Sequence, residues 1–240
     1  MPVRFLSVGD RALAVEFGNI IDRGLSREVL RLDRALRAAQ PAGVIETVPT
    51  FRSLLVHYDP LAASRADLER LIAALLDRDG GGATGARLWQ IPVCYAGEFA
   101  ADLGEVARLT GHTPAEVIKL HSSVRYHVYM LGFLPGFPYM GDLPPELALP
   151  RRADPRLRVP AGSISIATTL TAIYPYQSPG GWHLIGATPI RFFEPARTPP
   201  SLLAAGDATL FDPIDADAFA AIHRAVENGD YIVESEPIAP

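Results

Sequence analysis

Apolar positions in the first third of the chain change period several times. Leu13, Val15 and Phe17 alternate, the period of a strand with one face covered. Leu25, Val29, Leu32 and Leu36 follow at offsets of four, three and four, which places them on one face of a helix ending near Gln40 and Pro41. Val44 to Val48 and Ser53 to Tyr58 read as two strands, and the short connection through Pro49, Thr50 and Phe51 suits antiparallel neighbours. Ser64 with Asp67 starts a second helix, whose apolar stripe is Leu68, Leu71, Ile72 and Leu75. Two helices over one face of an antiparallel sheet make an α+β layer pair.

Asp79 to Gly85 is rich in glycine and has no apolar period, so a domain boundary is expected there. Beyond it Trp89, Ile91 and Val93 alternate as a strand, and a helical stretch from Leu103 to Leu109 stops at Gly111. Thr113, Pro114 and Glu116 supply an N-cap, a first-turn proline and a reciprocal capping acid. From Val124 the pattern turns to strands: Val124, Tyr126, Val128 and Met130 alternate against Arg125, His127, Tyr129 and Leu131. Short strands continue through Ile164, Ile166, Ile173, Leu184 and Phe192, broken by Pro and Gly turns, which argues a barrel or sandwich. A last helix is expected over 217–228, with Phe219, Ile222 and Val226 inward and Gly229 as its stop.

Composition narrows the classes. With 48% apolar residues the chain has the makeup of an ordered globular protein. The net charge of −5 comes from basic and acidic residues scattered without a basic run, so no nucleic-acid partner is expected. No apolar run approaches membrane-spanning length and the start lacks a leader pattern, so the expectation is a cytoplasmic protein with no membrane partner. Cys94, the sole cysteine, excludes an internal disulfide and reads as a small buried hydrophobe.

The chain has no phosphate-binding glycine loop ending in Lys-Ser/Thr, no zinc helix of the His-Glu-x-x-His type and no nucleophile elbow. Two segments stand out. Gly132, Phe133, Leu134, Pro135, Gly136, Phe137, Pro138 and Tyr139 interleave aromatics with prolines and glycines after a strand. That composition fits either a rigid barrel-end loop plugging the core or a ligand-binding loop. The second segment gathers Arg156, Arg158, Ser163, Tyr174, Ser178, Gly180, Gly181, Trp182 and His183. Arginines, hydroxyls and a glycine pair can hold a carboxylate or phosphate; they are also what exposed arginines beside an ordinary turn look like. His121, His127 and His183 show no ligand or triad spacing, and no metal site is expected.

Tyr126, the run Gly132 to Phe137, Pro160-Ala161-Gly162-Ser163 and Ser178-Pro179-Gly180-Gly181-Trp182 resemble the signature of a family that joins allophanate hydrolase subunit 1 with the B-type subunit of 5-oxoprolinase. Weaker resemblance extends through Thr50 to Val56 and Tyr58-Asp59-Pro60 and reaches Gly206-Asp207 and Phe211, so nearly the whole chain is covered.

The resemblance implies an α+β fold: a small ferredoxin-like N-terminal domain over residues 1–80, then a cyclophilin-like β-barrel over residues 88–240. It implies the B-type subunit of an ATP-dependent 5-oxoprolinase, which opens 5-oxoproline to glutamate. The partners would be a homologous second subunit and the 5-oxoprolinase A subunit. ATP with Mg would be used by the assembled complex, and no biotin would be attached to this chain. Two other members of the resembling group imply different roles: KipI-type inhibitors of histidine kinase autophosphorylation, and allophanate hydrolase subunit 1. The family pattern leads to glycine and Gln-Thr-Gly between Ala167 and Pro175, and to arginine after Gly186. Thr168, Leu170, Ala172 and Ala187 depart from it. Leucine has no amide and alanine no charge, so these departures bear on which substrate is used.

Overall fold

The computed structural model describes residues 3–77 and 85–238, which fall into two compact units, one before and one from Gly85 onward. The glycine-rich stretch where the sequence places a boundary lies, from Asp79 to Thr84, outside the described residues.

The first unit runs β1 (Arg4–Ser7), β2 (Ala12–Glu16), α1 (Arg23–Ala39), β3 (Val44–Pro49), β4 (Ser53–Tyr58) and α2 (Arg65–Leu76). Its sheet is antiparallel throughout, in the order β1-β2-β4-β3. Leu13 and Val15 of β2, Leu54 and Val56 of β4, and Val29 and Leu32 of α1 are all fully buried in one cluster with Leu68 and Ile72 of α2. Each such side chain stabilises the fold by about 1.5–3 kcal/mol relative to exposure. Asp22 caps α1 by accepting from the Leu25 N–H at 3.0 Å, and Ser64 caps α2 through the Asp67 N–H at 3.2 Å. The helices and strands expected from periodicity are present. Ferredoxin-like connectivity is not confirmed: that arrangement follows βαββαβ, whereas here the order is ββαββα and the N-terminal β1 fills the outer place beside β2.

The second unit opens with β5 (Arg87–Cys94), α3 (Leu103–Thr110), α4 (Pro114–Ser122), β6 (Tyr126–Leu131) and β7 (Pro138–Gly141). It continues through β8 (Arg156–Val159), β9 (Ser163–Ala167), β10 (Leu170–Ile173), β11 (Ser178–Gly180) and β12 (His183–Ala187). It ends with β13 (Ala208–Ile214), α5 (Ala216–Asn228) and β14 (Ser235–Pro237). Seven strands close on themselves in the order β12-β9-β10-β7-β6-β13-β5, with β5 meeting β12 at Cys94 and Ala187. The eight residues of β5 also pair with β14 at their other end, through Arg87 to Trp89. Closure removes the free edges that an open antiparallel sheet would expose.

Ile91, Val93, Val128, Met140, Ile164, Ile166, Ile173 and Ile185 form the barrel's buried cluster. Strands β9, β10 and β12 are buried at nearly every position, so both of their faces are covered. Helix α3 packs on β12 and α4 on β13. The capping expected for α4 is complete: Glu116 accepts from the Thr113 N–H at 2.7 Å while the Thr113 hydroxyl accepts from the Glu116 N–H at 3.3 Å. In α5, Ile222 and Val226 are half-buried against the barrel cluster, and Gly229 at φ 79° ends the helix.

Two details differ from the sequence pattern. Alternation places Tyr129 opposite to Val128, yet both are buried, because β6 bulges between Val128 and Met130 and inserts one residue against β7. The aromatic loop is also shorter than its composition suggests, since Pro138 and Tyr139 already belong to β7. Among the described residues no helix is long and apolar enough to cross a membrane.

Candidate functional site

The hairpin between β6 and β7 brings most of the predicted aromatics together. The Gly132 N–H donates to the Phe137 carbonyl at 3.1 Å, and the Phe137 N–H to the Leu134 carbonyl at 3.0 Å. Gly136 takes φ 75° in this turn, and a Cβ there would lie 2.7 Å from that of Phe193, so glycine is required on both counts. Phe133 takes φ 70° although it is a bulky residue, and the residue stays 63% exposed. A left-handed aromatic is a local strain of the kind found at binding and switch segments. Pro135 beside it is exposed.

Phe137 is the centre of a ring cluster. Its centroid lies 5.4 Å from Phe133, 4.9 Å from Tyr139, 5.1 Å from Tyr174 and 6.4 Å from Trp182. Tyr139 and Trp182 meet edge-on at 6.0 Å. Such edge-to-face contacts hold each ring in one orientation. Phe137, Tyr174 and Trp182 are buried, Tyr139 is half-buried, and Phe133 faces solvent. Burial pushes the Tyr174 phenol up to about 12, with Tyr139 adding to the effect, against the opposing pull of Arg151, the Trp182 N–H and Arg156. Burial likewise raises Tyr139, and Arg151 opposes it. Both phenols therefore stay protonated at neutral pH and can donate. Gly180 faces the Tyr174 hydroxyl so closely that a Cβ would come within 2.3 Å of it.

A buried ion-pair network supports this end of the barrel. Asp102, 3% exposed, accepts from Arg156 Nη1 at 2.8 Å, from Arg152 Nη1 at 3.0 Å and from the Leu184 N–H at 2.7 Å. The Arg152 N–H donates to the Gly181 carbonyl at 2.8 Å. The Arg151 guanidinium carbon stands 5.9 Å from the Trp182 ring centroid.

The remaining predicted residues divide as follows. Ser163 donates its hydroxyl to the Pro160 carbonyl at 2.8 Å, which makes it a turn-holding group. Ser178 is buried with its hydroxyl 3.2 Å from the Pro179 carbonyl. His183 is 5% exposed, with Nε2 3.0 Å from the Pro150 carbonyl and Nδ1 buried without a partner. Arg158 is exposed, and its side chain has no hydrogen bond or ion pair among the described residues. Tyr126 stands in the core instead, where its hydroxyl donates to the His121 carbonyl at 2.9 Å and its ring packs on His121 and Phe211. Asp102 and Arg151 are not among the residues that sequence reasoning singles out. Asp102 sits alone in an apolar stretch before α3, and nothing in the chain around it points to partners some fifty residues away.

Thr168 takes φ 54°, a left-handed position that glycine would take without strain. Leu170, Ala172 and Ala187 are buried in the barrel wall. Among the described residues no three His, Cys, Asp or Glu side chains converge as metal ligands, and the single lysine, Lys119, is exposed on α4. The cluster offers aromatic faces, phenol donors and a guanidinium, groups suited to holding and orienting a ligand, and among the described residues it presents no paired nucleophile and base.

A closed barrel with this glycine-bound aromatic end places the chain in a defined class, and it belongs to the family "Carboxyltransferase domain, subdomain C and D", whose model matches residues 3–203. It is 40% identical over 228 residues to the B-type subunit of the 5-oxoprolinase of Bacillus subtilis (strain 168), covering 88% of this chain and 93% of that one. The crystal structure of TTHA0988 superposes with a TM-score of 0.78 at 38% identity over 86% of this chain. This chain spans only 40% of the length of that structure. The urea amidolyase of K. lactis shares the fold, with a TM-score of 0.80 at 21% identity over 98% of this chain and 16% of that one.

Proposed function

We propose that the chain is the B-type subunit of an ATP-dependent 5-oxoprolinase. The observation that carries this reading is 40% identity to the B-type 5-oxoprolinase subunit of Bacillus subtilis along nearly the full length of both chains. The assembly would comprise this chain, a homologous second subunit and the 5-oxoprolinase A subunit, and it would act in the cytoplasm. We read the barrel as cyclophilin-like in architecture, with no isomerase activity implied by the fold.

Amide resonance makes direct hydrolysis of a lactam slow, and coupling its opening to ATP cleavage activates it. This chain's own part is binding. Half-buried Tyr139 with exposed Phe133 and Pro135 forms the ligand-facing rim, held in place by the buried rings of Phe137, Tyr174 and Trp182. ATP with Mg is used by the assembled complex, and this chain contributes to the acid substrate's pocket.

The test is conversion of 5-oxoproline to glutamate by the three purified components with ATP and Mg, against mixtures omitting each in turn. Turnover that disappears when this chain is left out supports the reading. A correctly assembled complex with no turnover overturns it and directs attention to another amide or to kinase inhibition.

A further inference from the structure

Four arginines lie between residues 151 and 158, and the geometry separates them into three kinds. Arg152 and Arg156 are committed to the buried Asp102 carboxylate, and Arg152 also reaches Glu105 at 2.9 Å. Their charges are balanced inside the fold, and redirecting either would strand a buried acid. Arg158 is exposed on β8 without hydrogen bond, ion pair or ring contact among the described residues, so its long side chain has nothing to fix it. Arg151 differs from the other three. It is exposed and has no acidic partner among the described residues, yet its guanidinium lies over the Trp182 ring. A ring contact of that kind fixes a guanidinium while leaving its N–H donors free.

We infer that Arg151 receives the carboxylate of the acid substrate at the barrel end, through the two parallel hydrogen bonds that guanidinium and carboxylate geometry permit. This rests on the 5-oxoprolinase reading and deepens it by naming the residue that selects an acid over its amide. The surroundings agree. Tyr139 and Tyr174 both feel the Arg151 charge, while Arg158 is not among the charges that reach either phenol. Half-buried Tyr139 and exposed Phe133 offer apolar surface on the same cluster for the ring methylenes of a small lactam.

The experiment compares 5-oxoproline with its carboxamide in the assembled complex, for wild type, Arg151→Ala, Arg151→Lys and Arg158→Ala. Binding is followed by tryptophan fluorescence, with Trp182→Phe to show that Trp182 reports it, and turnover is followed separately as KM and kcat. Hydrogen bonds to charged groups are strong enough that Arg151→Ala should weaken acid binding on the order of 10- to 100-fold. It should also erase the preference for acid over carboxamide and act on KM more than on kcat. Arg151→Lys keeps the charge without the fork and should fall between. Arg158→Ala should leave the preference intact. Because the Arg151 side chain is exposed, its removal leaves the core in place.

Acid preference retained in Arg151→Ala, or lost only in Arg158→Ala, overturns the inference. A wild-type assembly with Arg151-dependent acid preference but no turnover supports the inference and overturns the 5-oxoprolinase reading. Turnover with a preference indifferent to Arg151 does the reverse, and an assembly that binds neither compound overturns both.

Discussion

The Asp102 carboxylate and the Arg156 guanidinium meet in two parallel hydrogen bonds, 2.8 Å from Nη1 to Oδ2 and 2.5 Å from Nη2 to Oδ1. Asp102 also exchanges backbone and side-chain hydrogen bonds with Leu184, so one acid ties the start of α3 to β12 and to the segment that carries the arginines. Removing the acid leaves two partly buried cations facing each other. Asp102→Ala is expected to cost about 3–5 kcal/mol, the usual loss when one partner of a buried pair is deleted. Arg158→Ala should stay within about 0.5 kcal/mol, as for an exposed residue without partners. Urea denaturation midpoints of the two variants check both numbers, and equal losses would show that the pair is not a support of this end of the barrel.

His121 is buried completely, and burial lowers its pKa to about 3. The Thr171 hydroxyl donates to the Ser165 carbonyl at 3.0 Å, so its oxygen accepts from His121 Nε2 at 3.0 Å, which leaves Nδ1 to accept from the Tyr95 hydroxyl at 2.8 Å. The folded state thus holds a neutral imidazole. In the unfolded chain the ring titrates near the ordinary 6.5, so between pH 6.5 and about 3 the unfolded state binds more protons. This contribution to stability is present in full above pH 6.5 and is lost as pH falls toward 3, with a slope of about 1.4 kcal/mol per pH unit. His121→Phe should flatten the profile between pH 4.5 and 6.5 while lowering stability at pH 8, because the Tyr95 and Thr171 hydroxyls lose their partner. Parallel profiles for wild type and variant would remove His121 as the origin of the acid sensitivity.

How much of this is readable from sequence depends on how local each cause is. The Thr113–Glu116 cap, the stripe Val29, Leu32 and Leu36, and the Gly111 and Gly229 stops all lie within a few residues of the structure they make, and periodicity finds them. Closure of the barrel needs Cys94 to meet Ala187 and β13 to run parallel to β5, pairings that no local pattern encodes. The aromatic cluster is half legible: composition picks out Phe137, Tyr139, Tyr174 and Trp182. Tyr126 is wrongly grouped with them, because its alternation matches a strand but does not say which face looks into the core. Arg156 looks like a ligand-holding residue for the same reason, since its partner Asp102 is distant in the chain.

Phe133 combines a left-handed backbone with a largely exposed ring, so the fold gains little from keeping it. Glycine takes that conformation without the penalty of about 1–2 kcal/mol that a side chain pays there. Phe133→Gly should therefore leave the isolated chain's stability unchanged or raise it by up to about 1 kcal/mol, while lowering turnover of the assembled enzyme. Thermal denaturation alongside coupled assay separates the two effects. A variant that is both more stable and fully active would show that the strained ring has no part in binding.

Gly180 and Tyr174 should prove inseparable. An added Cβ at Gly180 would lie 2.3 Å from the Tyr174 hydroxyl and 2.8 Å from Cζ, and the phenol has little room to retreat because it is 2% exposed and edge-on to Phe137 at 5.1 Å. Gly180 also pairs with Arg156 across β8 and β11, so the backbone cannot shift without disturbing the Asp102 network. Gly180→Ala is expected to destabilise the chain by about 1–3 kcal/mol, the cost of overpacking a well-filled site. Tyr174→Phe removes the nearer obstacle and leaves the ring carbon, so the double variant should recover part of that loss. The resulting coupling energy falls in the range of about 0.5–3 kcal/mol seen for residues in contact. A double-mutant cycle on thermal or urea midpoints measures it directly. Strictly additive losses would mean that glycine is needed at 180 for its backbone alone, and that the Tyr174 phenol is free to move aside.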